Sequence, residues 1–252
     1  MKKLSKILVL SILAVFLVAG SASALPFGSD GGAGLQGVLD GFTVPPPSSI
    51  TVTTDMLPDT MDSNWSITGA GISAATMMIE LAGFKAGNIF GVYSGTEYIP
   101  LFLGSNTAGD NATLSIKTDG RVWANLIDTG KYFASNNFGY YLDSSVFGDG
   151  GLWHSDTALN NDGQDHMYAY RGTNTDTVLL PSVSAPGGLW TDQEYVLAFE
   201  DLRSCVADWD FTDMVVMVES VNPVPEPATM LLLGSGLFGL AVLGRKKFFK
   251  KN

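Results

Sequence analysis

Between Ser48 and Asn222, short runs of β-branched and aromatic residues alternate with Gly, Asn and Asp, and no amphipathic helix interrupts them. Runs of this kind, bounded by turn-forming residues, read as strands. The candidates are Ala75–Leu81, Asn88–Tyr93, Tyr98–Leu103, Ala112–Lys117, Arg121–Ile127, Phe138–Leu142, His166–Tyr170, Glu194–Phe199 and Met214–Ser220. Thr118-Asp119-Gly120 lies between two of them and signals a hairpin, because Asp-Gly tolerates the positive φ of a tight turn. Many short strands, with no visible internal repeat, predict an all-β domain over 48–222, a jelly-roll-like β-sandwich. Leu25–Pro47 is rich in Gly and Pro and is expected to form a flexible lead-in.

Both ends differ from this body. Met1–Ala24 has Lys2, Lys3 and Lys6, then the apolar run Ile7–Ala19, then Ala22-Ser23-Ala24. A charged start, a short apolar stretch and a small-residue site predict a secretory signal peptide cut after Ala24, with Ala22 and Ala24 as the recognition residues. At the other end, Ala228–Gly244 carries no charge and is just long enough to span a bilayer as a single hydrophobic helix. Arg245, Lys246, Lys247, Lys250 and Lys251 follow, and positive charge marks the cytoplasmic side. Pro225 and Pro227 stiffen the chain just before this helix.

Val-Pro-Glu-Pro-Ala (224–228), the short Leu- and Gly-rich helix and Arg-Lys-Lys (245–247) together resemble the PEP-CTERM sorting signal. The resemblance covers 223–252, with Pro225, Glu226, Pro227, Arg245, Lys246 and Lys247 as its signal residues. It implies an exported protein of an exopolysaccharide-producing Gram-negative bacterium. It also implies two partners, the export machinery and an exosortase-type membrane protease that processes the tail. The mature protein is then expected at the cell surface or outside the cell, anchored transiently or permanently by the C-terminal helix.

Charge separates body from ends. Eight of the 14 Lys and Arg lie in the two terminal signals, and only Glu226 of the 25 Asp and Glu lies outside Leu25–Pro223, so the body carries a net charge of about −18. Such a surface repels nucleic acid and anionic lipid, and it suits binding of divalent cations. The single cysteine, Cys205, allows no intrachain disulfide, so the exported domain must rely on its core. Cys205 itself is expected to be a small buried hydrophobe.

Two acidic stretches could carry chemistry. One is Asn160-Asn161-Asp162-Gly163-Gln164-Asp165-His166; the other is Glu200-Asp201 with Asp208-Trp209-Asp210-Phe211-Thr212-Asp213. Calcium takes six to eight oxygens, largely carboxylate and carbonyl, and dense acidic loops supply them. Asp162, Asp165, Glu200, Asp201, Asp208, Asp210 and Asp213 are therefore candidate metal ligands, with calcium the candidate cofactor. The competing reading is a set of Asx-turn loops with solvated carboxylates. The first stretch is not an EF-hand, because Ala158 and Ala169 would fall at its first and twelfth positions.

Asn-Asp-Gly-x-Asp-His-Met (161–167), Leu-Ala-Phe-Glu-Asp-Leu (197–202) and Asp-Trp-Asp-Phe-Thr-Asp-Met-Val-Val (208–216) also resemble a bacterial family of secreted domains of unknown function. Its signature is E-D-L, then D-x-D-x-N-D and a Val-rich strand, and it recurs beside the same sorting tail. The acidic signature implies calcium, although Thr212 stands where Asn is usual.

Catalytic patterns are missing. His154 and His166 are the only histidines and have no HExxH spacing; no G-x-S-x-G is present. Glu200 and Asp201 are adjacent, so on a strand they point to opposite faces and cannot flank one glycosidic bond. The expectation is a non-enzymatic structural or interaction domain of the cell surface or exopolysaccharide matrix. The alternative is a carbohydrate-binding module using Trp123, Trp153, Trp190 and Trp209; a secreted hydrolase ranks third.

Overall fold

The computed structural model describes residues 27–68, 72–79, 85–179 and 188–225. The expected signal peptide with Ala22 and Ala24, the C-terminal helix, Glu226, Pro227 and the basic Arg245-Lys246-Lys247 knot lie outside these residues. Among the described residues no helix is long and apolar enough to cross a membrane.

Two antiparallel sheets pack face to face. One has the order β11 (Met167–Arg171), β14 (Glu194–Phe199), β15 (Met214–Glu219), β3 (Ile72–Ile79), β6 (Asn111–Ile116), β7 (Arg121–Ala124) and β8 (Ile127–Tyr132). The other runs β16 (Val221–Val224), β2 (Asn64–Ile67), β9 (Asn137–Asp143), β4 (Ile89–Ser94) and β5 (Glu97–Leu103), with β10 (Leu152–His154) on β9. Between them lies a core that includes Trp65, Phe90, Phe102, Phe138, Leu197, Phe199 and Val216. Phe90 stacks on Phe102 and Tyr140 and meets Phe199 edge-on, joining the two sheets through rings.

The β11–β14–β15 end of the first sheet is buried on both faces. Side chains alternate along a strand. In β14, Tyr195, Leu197 and Phe199 enter the core between the sheets, whereas Val196 and Ala198 enter a second core on the outer face. Apolar residues are therefore continuous here, as in any strand covered twice.

The cover on the outer face is a helix, α1 (Ala33–Phe42), and this corrects the expectation of a flexible lead-in. Leu35, Val38, Leu39 and Phe42 sit at i, i+3, i+4 and i+7 and are all buried, packing with Tyr168, Tyr170, Val196 and Val215. Asp30 opens the helix by accepting the backbone N–H groups of Gly32 and Gly34, each at 2.8 Å. A small third sheet, β1 (Thr43–Val44), β12 (Thr177–Val178) and β13 (Gly188–Leu189), continues from it.

The Asp-Gly hairpin forms as expected. Gly120 has φ 86°, and its N–H bonds to the Lys117 carbonyl at 2.9 Å. The strand expected over Arg121–Ile127 is instead two strands of a hairpin, β7 and β8, joined at Asn125-Leu126 with φ of 51° and 64°. Two consecutive positive φ values define the type I′ geometry that matches strand twist. Leu126 and Ile127 are 79% and 70% exposed at this tip.

Candidate metal centre

Strands β14 and β15 pair with Phe199 opposite Met214, so the next residues outward, Glu200 and Asp213, face each other across the sheet end. The loop 200–213 joins them and returns two more carboxylates to the same point. Glu200, Asp208, Asp210 and Asp213 each offer an oxygen, and these oxygens lie within 4.8 Å of one another. Glu200 is fully buried, Asp210 and Asp213 are half-buried, and Asp208 is exposed, so the centre is closed on one side and open on the other.

The loop reaches this shape through backbone conformations that L-residues seldom adopt. Trp209 and Phe211 have φ of 57° and 56°. Left-handed non-glycine residues cost on the order of 1–3 kcal/mol each and persist only where their surroundings hold them. Here the side chains do the holding. Phe211 stacks on Tyr168 at 3.9 Å and meets Phe27 edge-on, and Trp209 lies 5.3 Å from His166. Asp208, just before Trp209, and Asp210, between the two rings, are thereby directed to the carboxylate centre. Thr212 donates both its N–H and its hydroxyl to Asp210 Oδ1, each at 2.8 Å. Thr212 thus orients a candidate ligand.

The N-terminal segment braces the same loop. Gly28 donates its N–H to the Trp209 carbonyl at 3.0 Å, and a β-carbon at Gly28 would overlap the Asp208 carbonyl oxygen. Neither Phe27 nor Gly28 was marked by any acidic motif.

Four carboxylates in one place repel. Burial, reinforced by the Asp213 charge, pushes the Glu200 carboxyl up to about 9. Burial and the Asp201 charge push Asp213 up to about 8. Backbone N–H groups oppose this only in part: Trp209 and Leu202 donate to Glu200 at 2.8 and 3.1 Å, and Asp201 donates to Asp213 at 2.9 Å. Arg121, Lys131, Arg171 and Arg203 each pair with a carboxylate elsewhere, and Lys117 lies over Trp123. Among the described residues, no side-chain cation pairs with the four.

The other predicted ligands are placed differently. Asp201 borders the centre; its carboxylate accepts Asn88 Nδ2 at 3.1 Å, and burial raises its pKa. The side-chain oxygen of Asn88 is buried without a partner beside it. Asp162 braces the loop from outside, accepting Ser204 N–H at 3.0 Å and facing His166 Nε2 at 3.0 Å. Burial would raise the Asp162 carboxyl, but the His166 bond and the backbone donors hold it below its ordinary value. His166 stacks on Trp153 at 3.8 Å, and its other nitrogen faces the Glu200 carbonyl at 3.1 Å. Asp165 is not among the four; its Oδ1 accepts the Met167 N–H at 3.1 Å. The 160–166 stretch is otherwise an Asx-type loop: Asp162 accepts Gln164 N–H, Asn160 accepts His154 N–H, and Gly163 has φ 66°.

Two further expectations change. Cys205 is exposed at the tip of the 200–213 loop, not buried. Trp153 and Trp190 are buried and donate their indole N–H groups to the carbonyls of Asp201 and Glu194, which removes two of the four tryptophans from any sugar-stacking surface.

From the far edge of the second sheet the chain leaves through β16, whose Val224 pairs with Asn64 and Pro223 with Trp65; exposed Pro225 follows. Residues 223–247 match the family model of the PEP-CTERM protein-sorting motif. The chain carries a PEP-CTERM sorting motif. The PEP-CTERM motif implies an exported protein that exosortase sorts and that is anchored at the membrane. Its first residues, Pro223 and Val224, also belong to β16 of the second sheet. Neither a curated protein nor a solved structure matches the chain.

Proposed function

We propose that the protein is a non-catalytic, calcium-binding structural or interaction module of the cell surface or exopolysaccharide matrix, delivered there by its PEP-CTERM motif. The observation that carries this reading is the convergence of Glu200, Asp208, Asp210 and Asp213 at a strand-end loop, two of them with strongly raised pKa values and none ion-paired. A hard divalent cation with oxygen ligands satisfies all four at once. It would also tie the loop to β14 and β15, so the ion acts on rigidity. Asp201 and Asn88 lie at the rim and would hold the inner carboxylates in place.

The reading is tested by calorimetric titration of the full chain, purified in detergent, with calcium and with magnesium. Calcium should bind in the range of about 0.1–1 mM typical of extracellular modules, and more tightly than magnesium. Asp208→Asn with Asp210→Asn should abolish binding at this centre and so lower the calcium stoichiometry by one equivalent. Equal heats in wild type and double variant would remove the centre from the function. Fractionation of producing cells should then find the mature protein with surface or matrix material.

A further inference from the structure

A second group of carboxylates shares no residue with the 200–213 loop. The one-turn helix α2 (Asp59–Asp62) is held against β11: Leu57 donates its N–H to the Ala169 carbonyl at 2.8 Å, and Met56 bridges to Tyr170. This brings Asp62, Asp59 and Asp165, the residue two before β11, close enough for their charges to interact. Asp62 is 1% exposed and Asp165 8%. The position of Asp62 is fixed by its neighbours: Trp65 Nε1 donates to the Asp62 carbonyl at 2.6 Å, Ser63 Oγ to the Asp59 carbonyl, and Thr157 Oγ1 to Asp59 Oδ1, both at 2.7 Å.

The Asp62 carboxylate itself has nothing. Both of its oxygens are inaccessible to solvent and neither has a hydrogen-bond partner. Asp165 has one donor, the Met167 N–H at 3.1 Å. The charges of Asp59, Asp62 and Asp165 act on one another, and burial and this repulsion together raise Asp62 and Asp165. Protonation would remove a charge and let one O–H reach a neighbouring carboxylate, but the remaining buried oxygen would still lack a partner. A cation between the carboxylates offsets the charge and supplies that partner.

We infer a second cation site, between Asp62 and Asp165 with Asp59 at its margin, that takes a hard divalent ion such as calcium. The donors are oxygens only, with neither His nor Cys among them, which disfavours zinc. Backbone carbonyls and water would complete the six to eight oxygens calcium requires. The site shares no residue with the centre on the 200–213 loop, and it would clamp α2 to the start of β11.

Calcium stoichiometry of the full chain in detergent, read by titration calorimetry, decides the point. Wild type should bind two equivalents. Asp208→Asn with Asp210→Asn, in which the changed residues are exposed or half-buried, should keep one. Adding Asp62→Asn should abolish that remaining equivalent, and Asp165→Asn serves where Asp62→Asn does not fold. A failure of the loop centre alone would appear as one wild-type equivalent that survives the Asp208 and Asp210 changes. A double variant that binds none, or a remaining equivalent indifferent to both Asp62→Asn and Asp165→Asn, overturns the second site.

Discussion

Calcium should stabilise the domain by an amount the geometry bounds. Two full charges separated by 4.8 Å, the outer limit among the four carboxylate oxygens, repel by about 3–4 kcal/mol at an effective dielectric near 20. This is several times RT, so without a cation the centre holds protons at neutral pH, in accord with Glu200 near 9 and Asp213 near 8. A cation must displace those protons, and its affinity therefore rises with pH. For a dissociation constant of about 0.1–1 mM, 10 mM calcium stabilises the native state by roughly 1.4–2.7 kcal/mol beyond a chelator-treated sample. At about 2–4 °C per kcal/mol for a domain of this size, the melting midpoint should rise roughly 3–11 °C. The assay is thermal melting of the full chain in detergent, with EDTA, calcium or magnesium, at pH 6 and pH 8. The calcium increment should be larger at pH 8, and Asp210→Asn should cut it by more than half. Equal midpoints in EDTA and calcium at both pH values, or an equal increment from magnesium, would refute the reasoning.

Without metal, stability should fall as pH rises from about 4.5 to about 9. Glu200, Asp213 and Asp165 hold protons in the folded state that the unfolded chain has lost above its ordinary carboxyl range near 4; chemical denaturation in EDTA across that window should show the decline. Gly28→Ala should weaken calcium binding at least severalfold by displacing the Asp208 carbonyl, and an unchanged titration would detach the N-terminal segment from the centre. Leu39→Ala, on the fully buried face of α1, should cost about 2–5 kcal/mol in chemical denaturation, whereas a loss under about 0.5 kcal/mol would mean the helix contributes no packing. Leu126→Gly should gain about 0.5–1 kcal/mol by relieving a left-handed leucine at an exposed turn, and a lower midpoint would contradict that turn geometry.

The strands that show in the sequence are those covered on two faces or bounded by glycine and aspartate. Glu194–Phe199 is found at the expected limits because Tyr195 through Phe199 are all apolar. The helix α1 was hidden by composition: Gly34, Gly37 and Gly41 punctuate AGLQGVLDGF, and glycine is a poor helix former. Its Leu35, Val38, Leu39 and Phe42 spacing is nevertheless present in the sequence. The Asn125-Leu126 turn was illegible because leucine is not a turn residue and takes left-handed geometry there under the pull of strand pairing. In the acidic centre, residue density exposed Glu200, Asp208, Asp210 and Asp213. Their convergence, however, depends on the Phe199–Met214 register and on Trp209 and Phe211 being seated on aromatic neighbours. Nothing near Asn88 or Asp62 sets them apart in the chain; their importance comes only from what folding buries beside them.

The shared residues Pro223 and Val224 also bear on mechanics. The motif begins inside a sheet. Tension from a held tail would enter first at Val224–Asn64 and next at Pro223–Trp65, and Trp65 stands fully buried between the two sheets. Drag on a surrounding polymer would thus load the core directly. Whatever grips the motif holds the sandwich by its hem.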